Sequence, residues 1–565
     1  MAGAGALASC APAATPAPGE TAAPAPTCPP AAECPPCPVP GVPETWDEEA
    51  DVVVVGTGIA GYSAAHMAKE AGADVIIIEK EKWYGGNSLL SGGNCQMPAN
   101  HMNKAAGIED RVEWAYEDYY EHGEYRNVPE LLRLFVENAA DVALWLEELG
   151  VIWTGPKLQL PDNRVPRTIT GTVPETGLRK GGVGLIEPLH KAATDRQIPV
   201  KLEHKMTRLI RPDSKGPVLG LEVVSAGKTL NFRARKAVIL ATGGYKANLQ
   251  MIRAWHPLLD EEFGWSGGPS IHTVGEGHLA AMALGAGMTD ASFTLSFSFT
   301  VGNPVHTVWE PQELTQPAIS GGLKYDLRKT RESVLPYDNP SEGPNPWAIL
   351  VENDGKRYCN ESTFPSKKEP HYPWVTAYLK LPQRPRKVWV VVDSAGATGT
   401  GWELASFESA TRPPYLDPDS IAFADTIGEL ATKMGMPPAN LEATVNKYNE
   451  YAAAGEDKDF QRPRPLTPIT EPPFFGARLF LFTHDQQNGI RVNTKMQVID
   501  QMFALETGTA PSVPVDKEGV IPHLYAAGEV TGGTFGAARG SGKMGSYGVQ
   551  GYFAGKNAVA ETPWE

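Results

Sequence analysis

Three glycines and one carboxylate carry the clearest chemical signal in the sequence. Gly56-Thr-Gly58-Ile-Ala-Gly61 has GxGxxG spacing, and Glu79 follows 18 residues after Gly61. In such a turn the backbone N–H groups and the dipole of the next helix face a pyrophosphate, while a carboxylate at this distance accepts hydrogen bonds from a ribose. The pattern predicts a dinucleotide-binding site, and it does not by itself distinguish NAD from FAD.

The elements that would position these residues are also visible. The apolar run over 51–55 predicts a buried parallel strand, and the patterns after the glycines predict a helix over 62–71 and a strand over 74–79. Strand, glycine turn, helix and strand in this order make the βαβ unit of a dinucleotide fold. A further buried strand is predicted over 237–241.

The composition excludes some classes of protein. Asp and Glu number 66 against 50 Lys and Arg, which gives a formal net charge of −16. Such a chain lacks the clustered cations that replace phosphate counterions, so we expect no nucleic-acid partner. With 42% hydrophobic and 21% charged residues, it has the composition of a globular protein. No uninterrupted apolar run approaches the roughly 20 residues of a bilayer-spanning helix.

Residues 1–45 differ from the rest because they are rich in alanine and proline. Leu7-Ala-Ser-Cys10 resembles a bacterial lipobox, in which the cysteine is lipidated, and the residues before it resemble the end of an export signal. We interpret this segment as a signal remnant followed by an extended tether. The expectation is an extracytoplasmic protein of the cell envelope with a lipid anchor at Cys10. The alternative is a low-complexity leader on a cytoplasmic protein.

More motifs follow along the chain. Directly after Glu79, the stretch 85–94 reads Gly-Gly-Asn-Ser-Leu-Leu-Ser-Gly-Gly-Asn. The later motifs are Ala241-Thr-Gly-Gly244, Val274-Gly-Glu276-Gly277, Gly355-Lys-Arg-Tyr-Cys-Asn360-Glu361 and Gly528-Glu529. With these six motifs in order, the sequence resembles the fumarate reductase/succinate dehydrogenase flavoprotein family. That family includes soluble fumarate and urocanate reductases and 3-ketosteroid dehydrogenases.

The resemblance implies a noncovalently bound FAD. Its ADP half would lie against Gly56, Gly58, Ile59, Ala60, Gly61 and Glu79, and its pyrophosphate and flavin against Asn87, Ser88, Gly92 and Gly93. Glu529 would hold ribityl or ribose hydroxyls. The turn over 542–546 would point N–H groups at the flavin N1/O2 edge, where negative charge accumulates on reduction. The remaining cofactor-binding candidates are Lys80, Gly86, Ser91, Asn94, Ala241, Thr242, Gly243, Glu276, Gly528, Met544, Gly545 and Ser546.

The implied architecture is α/β, with a Rossmann-like FAD-binding domain of glutathione-reductase type and an inserted α+β cap domain. Residues 46–284 would form the first part of the FAD-binding domain, 285–475 the cap, and 476–565 the second part. The cap segment is irregular and rich in proline and aromatic residues. We expect the active site between the domains, where closure of the cap would exclude water from the flavin.

The substrate-binding side chains of the family are only partly retained. Pro365 stands where the family places a proton-donating arginine, and Asp485, with His484 beside it, stands where a histidine is expected. Arg539 remains at the position of a substrate-binding arginine. One cation cannot pair with both carboxylates of fumarate, and a buried, unpaired carboxylate is costly. We therefore expect a substrate other than fumarate.

The expected reaction is reduction of an activated C=C bond in a small unsaturated molecule, such as an aryl acrylate or an enone. Hydride would pass from flavin N5 to the β-carbon, and a side chain would protonate the α-carbon. The sequence shows no second unit of apolar strand, GxGxxG turn and helix of the kind that would bind NADH. We therefore expect an external electron donor, such as a membrane cytochrome in anaerobic respiration. The catalytic candidates are Arg539, Tyr372, His484, Asp485, Lys367 and Tyr547.

Two alternatives remain open. The first is an FAD-dependent 3-ketosteroid dehydrogenase working in the oxidative direction, since those relatives share the Asn360-Glu361 pattern. Against it, Gly528-Glu529 followed by Gly536-Ala-Ala-Arg539 is closer to the reductase form. The second is a tethered binding protein without catalysis, which the complete set of flavin motifs disfavours.

Overall fold

The computed structural model describes residues 41–157, 163–172, 181–255, 272–289, 347–361, 373–412, 416–463, 465–502, 514–536 and 542–564, together with three strands between 295 and 326. For residues 249, 295–301, 312–313, 325–326, 373–376 and 481–485 the backbone alone is described. Gly41–Glu565 form one compact unit. The division of this unit at residues 284 and 475, which the sequence suggests, stays a prediction.

Most of the described strands belong to two large sheets. In chain order the strands are β1 (Glu48–Val55), β2 (Val75–Ile78), β3 (Asn94–Gln96), β4 (Ile152–Lys157), β5 (Thr168–Thr172), β6 (Val200–Lys201), β7 (Lys205–Ile210), β8 (Gly220–Ser225), β9 (Lys228–Leu240), β10 (Leu295–Val301), β11 (Gln312–Glu313), β12 (Tyr325–Asp326), β13 (Ile349–Val351), β14 (Val388–Val392), β15 (Ile421–Ala424), β16 (Phe474–Gln486), β17 (Gln497–Ile499) and β18 (Val520–Ala526).

The α-helices differ widely in length. They are α1 (Ile59–Glu70), α2 (Gly86–Leu90), α3 (His101–Ala105), α4 (Val112–His122), α5 (Pro129–Glu148), α6 (Gly182–Asp195), α7 (Leu249–Trp255), α8 (Glu276–Met282), α9 (Pro373–Lys380), α10 (Ser394–Gly399), α11 (Ile427–Met434), α12 (Pro438–Ala454) and α13 (Met544–Val559). Three short 3-10 helices span Leu404–Phe407, Pro418–Ser420 and Val515–Lys517. No helix in the described part of the chain is long and apolar enough to cross a membrane.

The first sheet has eight strands and a parallel centre. Its order is β17-β18-β9-β1-β2-β6, and β8 and β7 continue from β9 as antiparallel strands. Val55 at the end of β1 pairs with both Ile78 and Leu240, and Ala526 at the end of β18 also pairs with Leu240. The carboxyl ends of β2, β1, β9 and β18 therefore lie along one edge, where ligands bind in open α/β sheets.

The predicted βαβ unit is confirmed. β1 and β2 pair in parallel from Val52–Val75 to Val55–Ile78, and α1 connects them. The helix begins at Ile59, earlier than the predicted residue 62, because Gly58 already occupies the N-cap position. The mixed α/β fold and the parallel Rossmann-like sheet are thus as expected.

The C-terminal helix α13 is a feature that the sequence pattern does not predict. The pattern over 476–565 indicates strands and glycine turns, because glycine disfavours a helix by up to about 1 kcal/mol per residue. Here the glycines permit close packing instead. A Cβ on Gly551 would lie 2.2 Å from the Ala60 carbonyl oxygen, and one on Gly555 would lie 2.2 Å from that of Ala64. Tertiary packing against α1 therefore outweighs the low helix propensity.

The second sheet has five antiparallel strands in the order β10-β16-β14-β13, with β15 also paired to β16. Strand β16 spans the predicted cap boundary at residue 475 and ends at Gln486. Its carboxyl end therefore carries the chain from the second sheet toward the edge of the first. A smaller sheet has the order β3-β5-β4, and its strand β3 directly follows α2 in the chain.

The Gly355–Glu361 motif forms a buried ionic network beside the second sheet. Arg357 donates to both carboxylate oxygens of Glu361, at 2.8 and 2.7 Å, and to Asp457 at 2.7 Å. Arg462 lies 3.4 Å from Glu361 and donates to the Ala348 carbonyl oxygen at 2.7 Å. The side chains of Glu361, Asp457 and Arg462 are fully buried. The motif therefore joins residues 348–361 to residues 457–462 through charge pairs and hydrogen bonds.

Candidate functional site

The GxGxxG glycines have different roles in the turn between β1 and α1. A Cβ on Gly56 would lie 2.3 Å from the Ala241 carbonyl oxygen, and one on Gly61 would lie 1.9 Å from the Gly56 carbonyl oxygen. Backbone atoms occupy the space at these two positions, so a side chain fits at neither of them. Gly58 is different, because a Cβ there would meet only the Ser88 hydroxyl, at 3.3 Å. The second glycine thus faces the space in which a pyrophosphate would lie.

Glu79 follows β2 at the same edge and is buried. Its carboxylate accepts hydrogen bonds from the Thr57 backbone N–H at 3.1 Å, the Thr57 hydroxyl at 2.5 Å and the Glu81 N–H at 3.1 Å. Burial raises the pKa of Glu79, although these hydrogen bonds oppose the shift. The turn residue Thr57 therefore orients the carboxylate predicted to accept from a ribose. Sequence reasoning did not single out Thr57.

Lys80 and Glu276 are brought together by the fold. The Lys80 ammonium lies 2.7 Å from the Glu276 carboxylate and also donates to the His272 carbonyl oxygen. Both side chains are partly exposed, at 25% and 21%. The pair joins the end of β2 to the start of α8, so these two cofactor candidates stabilise the rim of the site.

The second glycine stretch folds as the short helix α2 and the approach to β3. The Ser88 hydroxyl accepts from the Ile59 N–H at 3.1 Å, which ties this stretch to the start of α1. Ser91 donates to the Ser88 carbonyl oxygen at 2.8 Å and lies 3.2 Å from the Met544 sulfur. A Cβ on Gly93 would lie 2.1 Å from the Gly181 backbone. Asn94 accepts from the Thr170 hydroxyl at 2.9 Å.

Glu529 lies at the loop after β18 and is 10% exposed. Its carboxylate is 3.8 Å from the Lys246 ammonium and accepts from the Gln486 N–H at 3.3 Å. The Gln486 side chain donates to the Glu529 carbonyl oxygen at 2.9 Å, and Gly528 N–H donates to Gln550 on α13 at 2.8 Å. The loops after β9, β16 and β18 therefore meet at Glu529.

The N-terminus of α13 completes this edge. Gly542 accepts at its carbonyl oxygen from the Gln96 N–H at 2.8 Å, and Ser546 donates to the Lys543 carbonyl oxygen at 2.8 Å. The predicted turn over 542–546 is in fact the start of a helix, since Met544 is its first residue. Gly545 packs against β3, where a Cβ would lie 2.2 Å from the Gln96 carbonyl oxygen.

The residues along this edge fit an extended dinucleotide cofactor. Within the described residues, the side-chain oxygens of Asn87 and Thr242 are buried and make no hydrogen bond. A Cβ on Gly86 would meet open space, and one on Gly243 would have only Thr273 nearby, at 3.6 Å. Buried polar atoms are usually hydrogen-bonded, and a polar ligand bound along this edge would satisfy these two oxygens. FAD is the group whose pyrophosphate, ribityl and flavin parts would use such an edge.

The catalytic candidates are less completely placed. Tyr547 is partly buried on the first turn of α13 and packs against the core. Asp485 pairs with Ser296 in the β10–β16 ladder, and its side chain and that of His484 lie outside the described part. Arg539, Lys367 and Tyr372 also lie outside the described residues. All six therefore stay predictions.

Besides Thr57, two further site residues were missed from the sequence. Gln486 bonds Glu529 and lies 3.0 Å from His278, and Lys543 donates to Gln487 at 2.5 Å. The signal for Gln486 is its place in a polar run at the end of an apolar strand. Lys543 lies inside the predicted turn over 542–546, and only the burial of its side chain distinguishes it from a surface lysine.

Two buried histidines, His66 and His278, and the partly buried His190 make the fold sensitive to acid. Burial lowers the pKa of His66 and His190 to about 4 and that of His278 to about 3. The unfolded chain binds these protons near pH 6.5 and the folded chain does not, so stability is fully present above pH 6.5 and falls toward pH 4. We expect the free energy of unfolding to drop by about 3 kcal/mol for His278 alone across that range.

Urea titrations at pH 7.5 and pH 4.5 measure this loss. A His66→Gln variant, which can still donate to the Leu189 carbonyl oxygen that His66 Nε2 contacts at 2.9 Å, should lose less stability than the parent. Equal losses in parent and variant would contradict the assignment of His66 as a neutral buried histidine.

Comparison with known proteins agrees with this geometry. Residues 51–544 match the FAD binding domain family. The chain is 30% identical over 513 residues to a probable fumarate reductase of Shewanella frigidimarina, covering 91% of this chain and 75% of that protein. It is 30% identical over 527 residues to the urocanate reductase of Eggerthella lenta, covering 92% and 76%. The open conformation of a flavocytochrome c3 fumarate reductase superposes with a TM-score of 0.67 at 29% identity, covering 91% of this chain and 79% of that one.

Proposed function

The chain belongs to the FAD binding domain family, and on that premise we propose that it is an FAD-dependent reductase of an activated C=C bond. It is an oxidoreductase acting on CH–CH bonds. The observation that carries the proposal is the meeting of Gly58, Glu79, Glu529 and the start of α13 along one sheet edge, with unsatisfied oxygens between them. FAD bound there supplies a hydride from flavin N5.

The substrate we propose is an aryl acrylate, with a neutral enone as the second class. Arg539 supplies one cation for one carboxylate, while Pro365 and Asp485 stand where the family has further substrate-binding groups. The relative from Eggerthella lenta is a urocanate reductase, and urocanate is an imidazole-substituted acrylate. A flat monocarboxylate satisfies Arg539 and leaves no second buried carboxylate unpaired.

The finer architecture and the cellular setting belong to the same proposal. The FAD-binding domain is of glutathione-reductase type, and the α+β cap is inserted over 285–475. An external donor, such as a membrane cytochrome in anaerobic respiration, delivers the electrons. The Ala/Pro-rich tether holds the enzyme at the cell envelope through a lipid at Cys10. The lipobox-like Leu7-Ala-Ser-Cys10 supports the anchor.

The test uses reduced methyl viologen as the electron donor in anaerobic assays of the purified holoenzyme. Cinnamate, urocanate, a steroid enone and fumarate are offered separately, and products are identified by mass spectrometry. We expect saturated product from an acrylate or the enone and none from fumarate.

Arg539→Met should lower turnover of the acrylate about 100-fold, whereas Arg133→Met, at a half-exposed surface position, should leave it unchanged. Oxidation of a saturated 3-keto steroid, with every reduction absent, would favour the dehydrogenase alternative.

A further inference from the structure

Lys543 is a buried cation immediately before α13. The residue is 6% exposed, and its ammonium donates to the amide oxygen of Gln487 at 2.5 Å and lies 5.9 Å from the centre of the Phe535 ring. An ammonium loses most of its hydration when buried, which is costly. Interactions at this position must therefore offset the hydration that the Lys543 ammonium has lost.

The surroundings place this charge at the cofactor edge. The Lys543 backbone bridges to Cys95 in β3, and the next residue, Met544, is 3.2 Å from the Ser91 hydroxyl of the second glycine stretch. Gln487 follows the end of β16, and Phe535 belongs to the loop after β18. The ammonium therefore lies where segments of both large sheets meet the start of α13.

Two positive contributions coincide at this point. The N-terminus of a helix carries the positive end of its dipole, and α13 runs for 16 residues from Met544. The Lys543 ammonium adds a full charge in surroundings that water screens weakly. Together they stabilise negative charge on a group bound in front of the helix. A redox group that gains negative charge on reduction is therefore stabilised more in its reduced state than in its oxidised state.

We propose that Lys543 raises the midpoint potential of the bound flavin by stabilising the negative charge that reduction places at its N1/O2 edge. The inference rests on the proposed function, because it needs FAD with that edge at the start of α13. Gln487 acts as a positioning residue, since its amide oxygen orients the ammonium. The role concerns the resting cofactor and is independent of the substrate.

Potentiometric titration of the FAD-bound protein, without substrate, tests the proposal. Lys543→Met should weaken the stabilisation of reduced over oxidised flavin about tenfold, which lowers the two-electron midpoint potential by about 30 mV. Lys543→Arg should keep most of the parent value. Lys556→Met removes the same charge from an exposed position in the last turn of the same helix, and its potential should equal that of the parent.

The outcomes separate an electrostatic role from a structural one. A Lys543→Met protein that melts earlier or binds FAD more weakly, yet keeps the parent potential, would overturn the proposal. If Met prevents FAD retention, Lys543→Gln supplies a neutral side chain that can still donate to Gln487, and the same shift is expected. Because no substrate is present, a protein that binds FAD but reduces none of the offered compounds would refute the proposed function and leave this test intact.

Discussion

Replacing Arg357 with methionine is expected to lower the free energy of unfolding by about 3–5 kcal/mol. Arg357 joins Glu361 and Asp457, and the two carboxylate side chains are fully buried. Removing the guanidinium leaves two anions in the interior, and among the described residues the cation still paired with one of them is Arg462, at 3.4 Å from Glu361. The loss of the partner costs more than the pair itself contributes, because the remaining charges stay desolvated.

Denaturant titration of the holoenzyme measures this loss. Arg133→Met is the matched control, since Arg133 pairs with Glu137 on the surface at 52% and 49% exposure. Exposed pairs of this kind contribute up to about 1 kcal/mol. A change in Arg357→Met no larger than that of the control would show that the buried ionic network does not stabilise the fold.

Replacing Gly58 with alanine is expected to give a folded protein that binds FAD about 10- to 100-fold more weakly. Gly58 has φ −64° and ψ 175°, which alanine adopts without strain. In the protein a Cβ would meet only Ser88, at 3.3 Å. The added methyl group instead occupies the space that the pyrophosphate needs, and overpacking of that kind costs about 1–3 kcal/mol.

Fluorescence titration of the apoprotein with FAD, combined with thermal melting, measures both parts of this prediction. Gly61→Ala should destabilise the fold itself, because its Cβ would lie 1.9 Å from the Gly56 carbonyl oxygen. Gly41→Ala, where a Cβ meets nothing within 4 Å, is the control. Unchanged FAD affinity in a folded Gly58→Ala protein would contradict the location of the pyrophosphate.

The sequence was sufficient for the parts of the fold that depend on local pattern. An apolar run, a glycine turn and a second apolar run predict β1, α1 and β2, because strand burial and turn geometry are encoded within a few residues. The same logic predicts the buried strand over 237–241, which the structure contains as the end of β9. The packing of α13 on α1 is not local. Gly551 and Gly555 disfavour a helix by their local propensity, and only their close contact with Ala60 and Ala64 explains why a helix forms there.

The site could be predicted less completely than the fold. Glu79 was identified from its spacing, but its orientation depends on Thr57, which occupies a position where the motif accepts any residue. Gln486 and Lys543 gain their importance from contacts with residues 43 and 56 positions away. Pairings over such separations depend on how the two sheets meet, which no short motif encodes.

Anaerobic reoxidation of the dithionite-reduced holoenzyme tests the central claim most directly. The flavin absorption band is followed after addition of an aryl acrylate, a steroid enone or fumarate in separate experiments. The proposed function predicts rapid recovery of oxidised flavin with the acrylate or the enone, and none with fumarate. Reduced flavin that persists with all three compounds, in a protein whose oxidised flavin is bleached by a saturated 3-keto steroid, would contradict it.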